Sequence, residues 1–314
     1  MPRRSSTAAA LSTAATAVAL CLAMLLGLSG ASSAAGAPEP APEAAVAFAP
    51  PMPLPAEPVA APGSSVLTSA QRDRLADRVD AAGEGTGARY AIAVQDLRTG
   101  TAFSHNCQEQ FATASVSKLL ILAMLHLHAQ EEGRELTEGE LWQVEQMIRY
   151  SDNEVTNGLY ARIGYNPGFT EAAARFGLTG TDPHPRAVWG GTLTTACDQI
   201  RLLRALYTDE GPLTADNRAH IRGLMESVAP EQAWGVSAAA SEGDTVGLKN
   251  GWTPRESDGG LWAINSVGYV AGPDREYLVA VLSDGHAGYG PGIDLAEELI
   301  GAVTGAMEEP AEIP

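Results

Sequence analysis

The chain has 314 residues, of which 45% are hydrophobic and 18% charged, so it can bury at least one sizeable core. Its formal net charge is −18, and it contains no basic run beyond Arg3-Arg4. Because phosphate recognition needs a positive patch, this charge argues against nucleic acid as a partner.

Residues 1–35 have the pattern of a secretory signal peptide. The basic start MPRRSS is followed by the apolar run AAALSTAATAVALCLAMLLGL and by SGASSAAGA, which offers Ala-x-Ala-like cleavage choices. The alternative is a retained membrane anchor, because the apolar run approaches spanning length. We predict cleavage, a secreted or cell-wall-associated protein, and no stable membrane anchor after processing. We do not expect Cys21 to be lipidated, because VALC is a poor lipoprotein signal.

Residues 36–65 are rich in Ala and Pro, which predicts a disordered, extended linker without a core of its own. We expect one folded domain over 66–306 and a disordered tail over 307–314. Two cysteines fall in the domain, Cys107 and Cys197. In an oxidising compartment such a pair favours one disulfide, with two buried thiols as the alternative.

Helical and strand patterns follow a clear order in the domain. A helix at 68–83 precedes a hairpin at 88–105. A helix that is apolar nearly all round begins near Ser115. Further helical patterns then follow at 138–150, 154–164, 169–177, 195–208 and 215–227. Strand patterns return at 244–252, 261–272 and 276–284, before a closing helix at 292–307.

This order predicts an α/β (α+β) fold. Strands from both ends of the chain most simply join one antiparallel sheet of about five strands, with the terminal helices covering it. The middle block then forms a second, all-helical lobe. We expect a cleft where the lobe meets the sheet.

Lysine is nearly absent from the chain. There are 18 arginines but only two lysines, Lys118 and Lys249. Arginine does not deprotonate in proteins and so cannot act as a base. The two lysines therefore indicate positions where the chemistry of lysine is needed in addition to its charge.

The first motif is Ser115-Val116-Ser117-Lys118. At the start of a helix, Ser115 and Lys118 share a face, and the helix dipole favours negative charge at the serine oxygen. The run Leu119-Leu120-Ile121-Leu122 predicts a buried helix, and burial lowers the pKa of a lysine. A neutral amine there can take the serine proton. The alternative is a surface helix lysine.

The second motif is Ser151-Asp152-Asn153, between two predicted helices, with Asn157 one helical turn beyond Asn153. By itself it is also typical of a capping turn. The third motif is Lys249-Asn250-Gly251 on a predicted strand. Gly251 allows a ligand backbone to approach closely. The alternative interpretation of Lys249 is an ordinary lysine at the edge of a strand, with no functional role.

Together the three motifs have the order and spacing of the trio found in class A β-lactamases and penicillin-binding proteins. The stretches MIRYSDNEVTNGLYARIG and GTLTTACDQIRLLRAL are also similar to this family. From about residue 66 to 306 the chain resembles the class A β-lactamase and penicillin-recognising serine hydrolases. Their fold, an α/β sheet plus a helical lobe, matches the order derived above.

The resemblance implies a role for each motif residue. Ser115 would be the nucleophile that forms an acyl-enzyme, and Lys118 its general base. Ser151 would pass a proton to the leaving nitrogen, and Asn153 would hold the acyl-side amide of the substrate. Lys249 would steer a substrate carboxylate and lower the pKa of Ser151.

Further residues follow from the same resemblance. The backbone N–H groups of Ser115 and Trp252 would form the oxyanion hole. Asn250 and Gly251 would belong to the substrate-binding strand, and Asn157 would orient the Ω-loop. Neither a metal ion nor another cofactor is implied, and His126 and His128, at i and i+2 on a helix, are not interpreted as metal ligands.

The Ω-loop departs from the family. Its sequence is TDPHPRAVWGG, and no Glu lies between Glu171 and Glu210, although the family has there a Glu that activates the deacylating water. Rapid β-lactam hydrolysis is therefore in doubt. His184 in this loop is a candidate replacement base, with an exposed polar side chain as the alternative.

Other departures concern the cleft. The interval from Ser115 to Ser151 is 36 residues, shorter than is typical of class A enzymes, which predicts a more open cleft. Asn250 replaces Thr and changes the reach of a hydrogen-bonding side chain. Trp252 adds a bulky wall or simply packs. Arg255 either pairs with a substrate carboxylate or is a surface residue of the hairpin.

We therefore expect a secreted, monomeric serine hydrolase that forms an acyl-enzyme with β-lactams or related amides and esters and deacylates slowly. One alternative is a D,D-carboxypeptidase acting on cell-wall stem peptides that end in D-Ala-D-Ala. A non-enzymatic alternative is a penicillin-binding sensor or sequestering module. All three would bind a small-molecule or peptide substrate.

Overall fold

The computed structural model describes residues 67–308. The predicted signal peptide, the linker and residues 309–314 lie outside the described residues. The last helix includes Met307 and Glu308. The predicted start of the tail at residue 307 is therefore wrong by two residues, because this helix continues to pack through its last turn.

Seven strands occur within the described residues. They are β1 (Arg89–Asp96), β2 (Ala102–His105), β3 (Gln110–Ala112), β4 (Leu193–Thr195), β5 (Thr245–Arg255), β6 (Leu261–Ala271) and β7 (Glu276–His286). Five of them form one antiparallel sheet in the order β2-β1-β7-β6-β5, so strands from both ends of the chain meet as predicted. The strand that carries the third motif, β5, is an edge strand.

The α-helices within residues 67–308 match the predicted pattern closely. They are α1 (Ser69–Gly83), α2 (Ser117–Glu131), α3 (Glu138–Arg149), α4 (Asn153–Arg162), α5 (Tyr165–Arg175), α6 (Ala196–Tyr207), α7 (Ala215–Met225) and α8 (Tyr289–Glu308). Several begin at side-chain caps, and Thr68 and Thr137 each form a capping box that satisfies free backbone donors. No helix in this part of the chain is long and apolar enough to cross a membrane.

The sheet separates two apolar cores. On one face, Leu75 and Val79 of α1 pack with α8 residues such as Leu299 against β1 and β7. On the other face lies the helical lobe, whose centre is α2. This helix is buried along almost its whole length, so its apolar pattern on all sides reflects contact with neighbouring helices on every side. The predicted fold class is confirmed.

A second, two-stranded sheet was not predicted. It joins β3 to β4, and Gln110 lies opposite Thr195. Beside it Cys107 and Cys197 form the expected disulfide, and Cys197 N donates to Cys107 O at 3.0 Å. The small sheet and the disulfide together tie the segment before the first motif to the segment before α6.

Candidate active site

Ser115 lies in a single 3-10 turn, Ala114–Val116, that directly precedes α2. It is half-buried and lines a cleft of about 640 Å³ between the sheet and the helical lobe. The preceding Ala114 has φ +44°, in the left-handed region, which costs a non-glycine residue about 1–3 kcal/mol. Such strain persists only where neighbours hold the backbone in place.

Asn265 is the main neighbour that holds this turn. It is fully buried on β6, and its Nδ2 donates to Ala112 O at 2.8 Å and to Thr113 O at 3.1 Å. Its Oδ1 accepts from Ser283 N on β7 at 3.2 Å. Sequence reasoning missed Asn265. An asparagine in the middle of the apolar strand LWAINSVGYVA was the available signal.

Lys118 lies in the first turn of α2 and is fully buried. Its Nζ donates to Ser151 O at 2.7 Å, to Ser151 Oγ at 3.0 Å and to Asn153 Oδ1 at 2.8 Å. Burial lowers the pKa of Lys118 to about 7, and the nearby charge of Asp152 opposes this shift. The shift brings the pKa of Lys118 into the neutral range, where the neutral amine is accessible.

Ser151 brings the two lysines together. Its Oγ lies 3.0 Å from Lys118 Nζ and 3.2 Å from Lys249 Nζ. Its φ of +56° is again left-handed, so both serines of the site stand on or next to strained backbone. Asp152 caps α4 by accepting from Val155 N at 2.8 Å, so the second motif serves as a capping turn as well as a contact between lysines.

Lys249 on β5 is fully buried behind Ser151. Besides Ser151 Oγ, its Nζ donates to Asn250 O at 2.8 Å and lies 3.5 Å from Gln232 Oε1. Burial and then the charge of Lys118 lower the pKa of Lys249 well below its ordinary value. Lys249 contacts Ser151 and is buried, and its predicted roles toward a substrate carboxylate and toward the pKa of Ser151 stay predictions.

Gly251 packs directly against the turn that carries Ser115. A Cβ at this position would lie 2.6 Å from Thr113 O and 2.8 Å from Ser115 N, too close for any side chain. The glycine is therefore required by the approach of the protein's own backbone, rather than of a ligand backbone as predicted. The backbone of Trp252 follows Gly251 on β5.

Asn250 does not face the cleft. It is fully buried, and its Nδ2 donates to Gln232 O at 2.8 Å and to Trp234 O at 3.0 Å. Both amide protons hold the segment at 232–234 against the sheet, so this geometry gives no support to the prediction that Asn250 binds substrate.

Trp252 lines the cleft and is half-buried. Its ring centroid lies 5.9 Å from that of Trp234 and 5.6 Å from that of Tyr289, and Trp262 lies 6.1 Å from Tyr289. Both sequence interpretations of Trp252 therefore apply, since one part of the ring packs in an aromatic cluster and another part walls the cleft.

The loop at 182–191 closes the cleft opposite β5. Trp189 Nε1 donates to Asn157 Oδ1 at 2.8 Å, so Asn157 contacts this loop in the way the resemblance implied. The Trp189 ring lies over the Lys118 amine, with the ring centroid 4.9 Å from Nζ. Thr113 Oγ1 donates to Trp189 O at 3.3 Å, which ties the loop to the nucleophile segment. Within the described part of this loop, an aromatic ring and not a carboxylate covers the Lys118 amine.

His184 and Arg255 both line the cleft. The imidazole of His184 packs over Gly191 and accepts from Arg186 N at 3.3 Å. No hydrogen bond among the described residues joins it to Ser115. Arg255 forms ion pairs with two carboxylates of its own chain, which favours the interpretation as a residue of the hairpin.

The motif residues thus meet at one point, except that Asn250 faces away. Ser115 and Asn153 line the cleft, Ser151 lies between the two lysine amines, and Lys118 reaches both members of the second motif. Among the described residues no hydrogen bond joins the Ser115 hydroxyl to either lysine amine, since Lys118 Nζ contacts Ser151 and Asn153.

The sheet with its helical lobe is the β-lactamase/transpeptidase-like fold. Among solved structures, PBP-A is similar with a TM-score of 0.66 and 19% identity, covering 79% of this chain and 98% of that chain. A mutant of PBP-A has been solved as an acyl-enzyme complex with penicillin G. A β-lactamase from Xanthomonas campestris is similar with a TM-score of 0.63 and 20% identity, covering 76% of this chain and 98% of that chain. At these identities the likeness concerns the fold.

Sequence comparison defines the family. A family model described as "Beta-lactamase enzyme family" matches residues 74–140 and 127–307. The chain is also 30% identical over 236 residues to "Putative lipoprotein LppW" of Mycobacterium tuberculosis, which covers 73% of each chain. The chain therefore belongs to the β-lactamase enzyme family.

Proposed function

We propose that this protein is an exported serine hydrolase that forms an acyl-enzyme on Ser115 and releases it slowly. The observation that carries the proposal is the position of Ser151 Oγ between two buried lysine amines, at 3.0 and 3.2 Å. Lysine pKa values lowered by burial, beside a serine that can pass a proton, support nucleophilic catalysis at neutral pH by the Ser115 that lines the cleft.

Acylation would begin at Ser115. Its Oγ attacks the carbonyl carbon of the substrate while neutral Lys118 takes the hydroxyl proton. In the free protein Lys118 Nζ contacts Ser151, so this transfer needs a movement of the amine towards Ser115 or passage of the proton through Ser151 Oγ. The backbone N–H groups of Ser115 and Trp252 would stabilise the oxyanion, since β5 packs at Gly251 against this turn.

Release of the leaving group needs a proton. Ser151 gives its proton to the leaving nitrogen or oxygen and regains one from protonated Lys118, so the acyl carbon–leaving group bond breaks without any other reactant. The neighbouring Lys249 amine donates to Ser151 Oγ and so stabilises negative charge on that oxygen.

Slow deacylation follows from what covers the base. Trp189 lies over Lys118, and its loop contains no Glu, the residue that the family uses to activate water. The acyl-enzyme of a PBP-A mutant with penicillin G, in a protein of the same fold, supports the idea that such a site holds an acyl group. The same feature is compatible with a D,D-carboxypeptidase or a penicillin sensor, in which a long-lived adduct has a function of its own.

Export is part of the proposal. The signal-peptide pattern of residues 1–35 motivates it, and the relative named as a lipoprotein supports a place in the cell envelope. Cell fractionation followed by N-terminal sequencing tests this. A mature protein that begins near residue 36 would support cleavage without lipidation, whereas an acylated N-terminal Cys21 would contradict it.

The first test is intact-protein mass spectrometry of the purified protein with penicillin G over time. We expect an adduct that persists for minutes or longer and is absent in Ser115→Ala. A transient adduct with rapid product formation would contradict slow deacylation and indicate a true β-lactamase. Release of D-alanine from a peptide ending in D-Ala-D-Ala would favour the carboxypeptidase.

A further inference from the structure

The cation that lines the cleft is engaged in ion pairs. Among the described residues that line the cleft, Arg255 is the only lysine or arginine. Its Nε lies 3.0 Å from Asp258 Oδ2 and its Nη1 lies 3.1 Å from Asp284 Oδ2. Asp284, which is itself buried, also binds Arg89 through both carboxylate oxygens, at 3.0 and 3.1 Å. The one cation of the cleft wall is thus neutralised within the protein.

Neither lysine is available to an incoming anion. Lys249 and Lys118 are fully buried, and each amine contacts three acceptors of the chain. Trp189 additionally covers Lys118. Arg186 is exposed on the same loop, but its side chain is not among those that line the cleft.

The remaining walls suit uncharged groups. Beside the nucleophile, Trp252 presents an aromatic surface backed by Trp234 and Tyr289. The opposite rim carries the carboxylate of Asp182, which accepts from Gln110 Nε2 at 2.6 Å. The chain's net charge of −18 further opposes the approach of anions. A carboxylate bound here would lose its hydration without gaining a charged partner.

We propose that the substrates are acyl donors whose leaving group is uncharged, namely neutral esters or amides with an apolar or aromatic leaving group. This inference rests on the proposed acylation of Ser115. In the step, the Ser115 Oγ–acyl carbon bond forms, the acyl carbon–oxygen or carbon–nitrogen bond breaks, and the serine proton ends on the leaving atom. The products are an acyl-enzyme and a neutral alcohol, phenol or amine.

Two matched pairs of compounds test the proposal. The first is penicillin G and its methyl ester. The second is a phenyl ester and the 3-carboxyphenyl ester of the same acyl group. The second-order rate constant for labelling Ser115 is measured by mass spectrometry at a pH above the ordinary titration range of histidine. Each value is divided by the compound's rate of hydrolysis by hydroxide, which removes differences in intrinsic reactivity.

We expect the neutral member of each pair to label Ser115 at least as fast as the acid after this correction. A charge-assisted contact with a recognised carboxylate would instead make the acid faster by about tenfold or more. Any corrected preference for the acids overturns the proposal, and loss of that preference in Arg186→Ala would identify the cation responsible.

A variant that frees Arg255 sharpens the test. In Asp258→Asn one of its two carboxylate partners is neutral, so we expect the corrected rate of the acids to rise by about two- to tenfold while that of the neutral compounds is unchanged. Asp274→Asn changes the net charge equally on an exposed turn at the opposite end of β6, and should change neither rate. Equal behaviour of both variants would contradict the role given to the paired Arg255.

Failure of the proposed function would give a different labelling result from failure of the inference about charge. If none of the four compounds labels Ser115, and any turnover is the same in Ser115→Ala, the acyl-enzyme is refuted and this inference with it. If the acids label Ser115 faster, the acyl-enzyme stands and only the inference about charge is overturned.

Discussion

Replacing Lys118 by arginine separates the charge of this residue from its ability to act as a base. The substitution keeps a cation beside Ser151 and Asn153, but arginine stays protonated at every accessible pH. If neutral Lys118 takes the proton of Ser115, Lys118→Arg must lose acylation although the charge remains.

The magnitude follows from the pKa of Lys118. Burial lowers it from 10.5 to about 7. Because only the neutral amine accepts a proton, the acylation rate of the wild type should rise by about tenfold between pH 6 and pH 8 and then level off. General base catalysis typically contributes about 10²- to 10⁴-fold, so acylation in Lys118→Arg should fall by that factor at pH 7.

The assay is the rate of covalent labelling of Ser115, followed by rapid-quench mass spectrometry from pH 5.5 to 9. Lys118→Met is the matched control, because it removes the base with a side chain small enough for the buried site. Circular dichroism and the thermal midpoint of both variants establish that they fold. Both should label slowly and without the rise near pH 7.

Two results would refute the reasoning. If Lys118→Arg labels Ser115 at the wild-type rate with the same pH profile, Lys118 is not the base. If the wild-type profile is flat between pH 6 and 8 while Lys118→Met is inactive, Lys118 acts through its hydrogen bonds to the second motif rather than through proton transfer.

Three further predictions concern the framework of the site. Gly251→Ala places a methyl carbon 2.8 Å from Ser115 N, so it should destabilise the fold by about 1–3 kcal/mol and slow acylation, as measured by urea denaturation and labelling. Replacing Cys107 and Cys197 by alanine removes a cross-link between residues 90 positions apart, which gives the unfolded chain more conformational freedom. The free energy of unfolding, measured by urea denaturation, should therefore fall by about 2–4 kcal/mol. Burial, and next the charge of a neighbouring histidine, lower the pKa of His126 to about 4. The fold keeps His126 neutral, so its stability should fall as pH drops from about 6.5 towards 4, and His126→Gln should remove part of that loss, measured by thermal melts.

Each of these has a control within the chain. Gly223→Ala adds a methyl group that meets no atom within 4 Å and should change nothing. Reductant should destabilise the wild type but not the cysteine double variant. The Nδ1 atom of His220 lies 3.1 Å from His126 Nε2. The variant His220→Gln should therefore also reduce the loss of stability between pH 6.5 and pH 4. A wild type equally stable at pH 6.5 and pH 4.5 would contradict the histidine prediction.

Much of the fold was predictable because its elements are long and strongly patterned. The alternating runs of β1 and β7 and the apolar α2 carry their own periodicity, so each is recognisable without its neighbours. The strands β3 and β4 were missed, since three residues show no period and each strand exists only by pairing with the other. The start of α5 at Tyr165, four residues before the predicted start, includes Pro167 in its first turn, where a proline is tolerated.

The residues of the candidate site also fall into those that the sequence predicts and those that it does not. The three motifs were recognisable because their chemistry depends on residue type and order, and no other lysine competes with the two in the chain. Asn265 and Trp189 were not recognised, because their roles arise from contacts with backbone and amine groups far away in the sequence.

The sequence by itself determined which groups can do chemistry here: two serines, two lysines that arginine cannot replace, and a loop without glutamate. Only the tertiary structure decided the pKa values, the orientations and the charge partners of the residues in and around the site. Burial on all sides lowers the pKa of Lys118, the strands turn Asn250 away from the cleft, and two carboxylates neutralise Arg255. Solvation and electrostatic interaction act through space, so they depend on which groups the fold brings within a few ångströms and not on their separation along the chain.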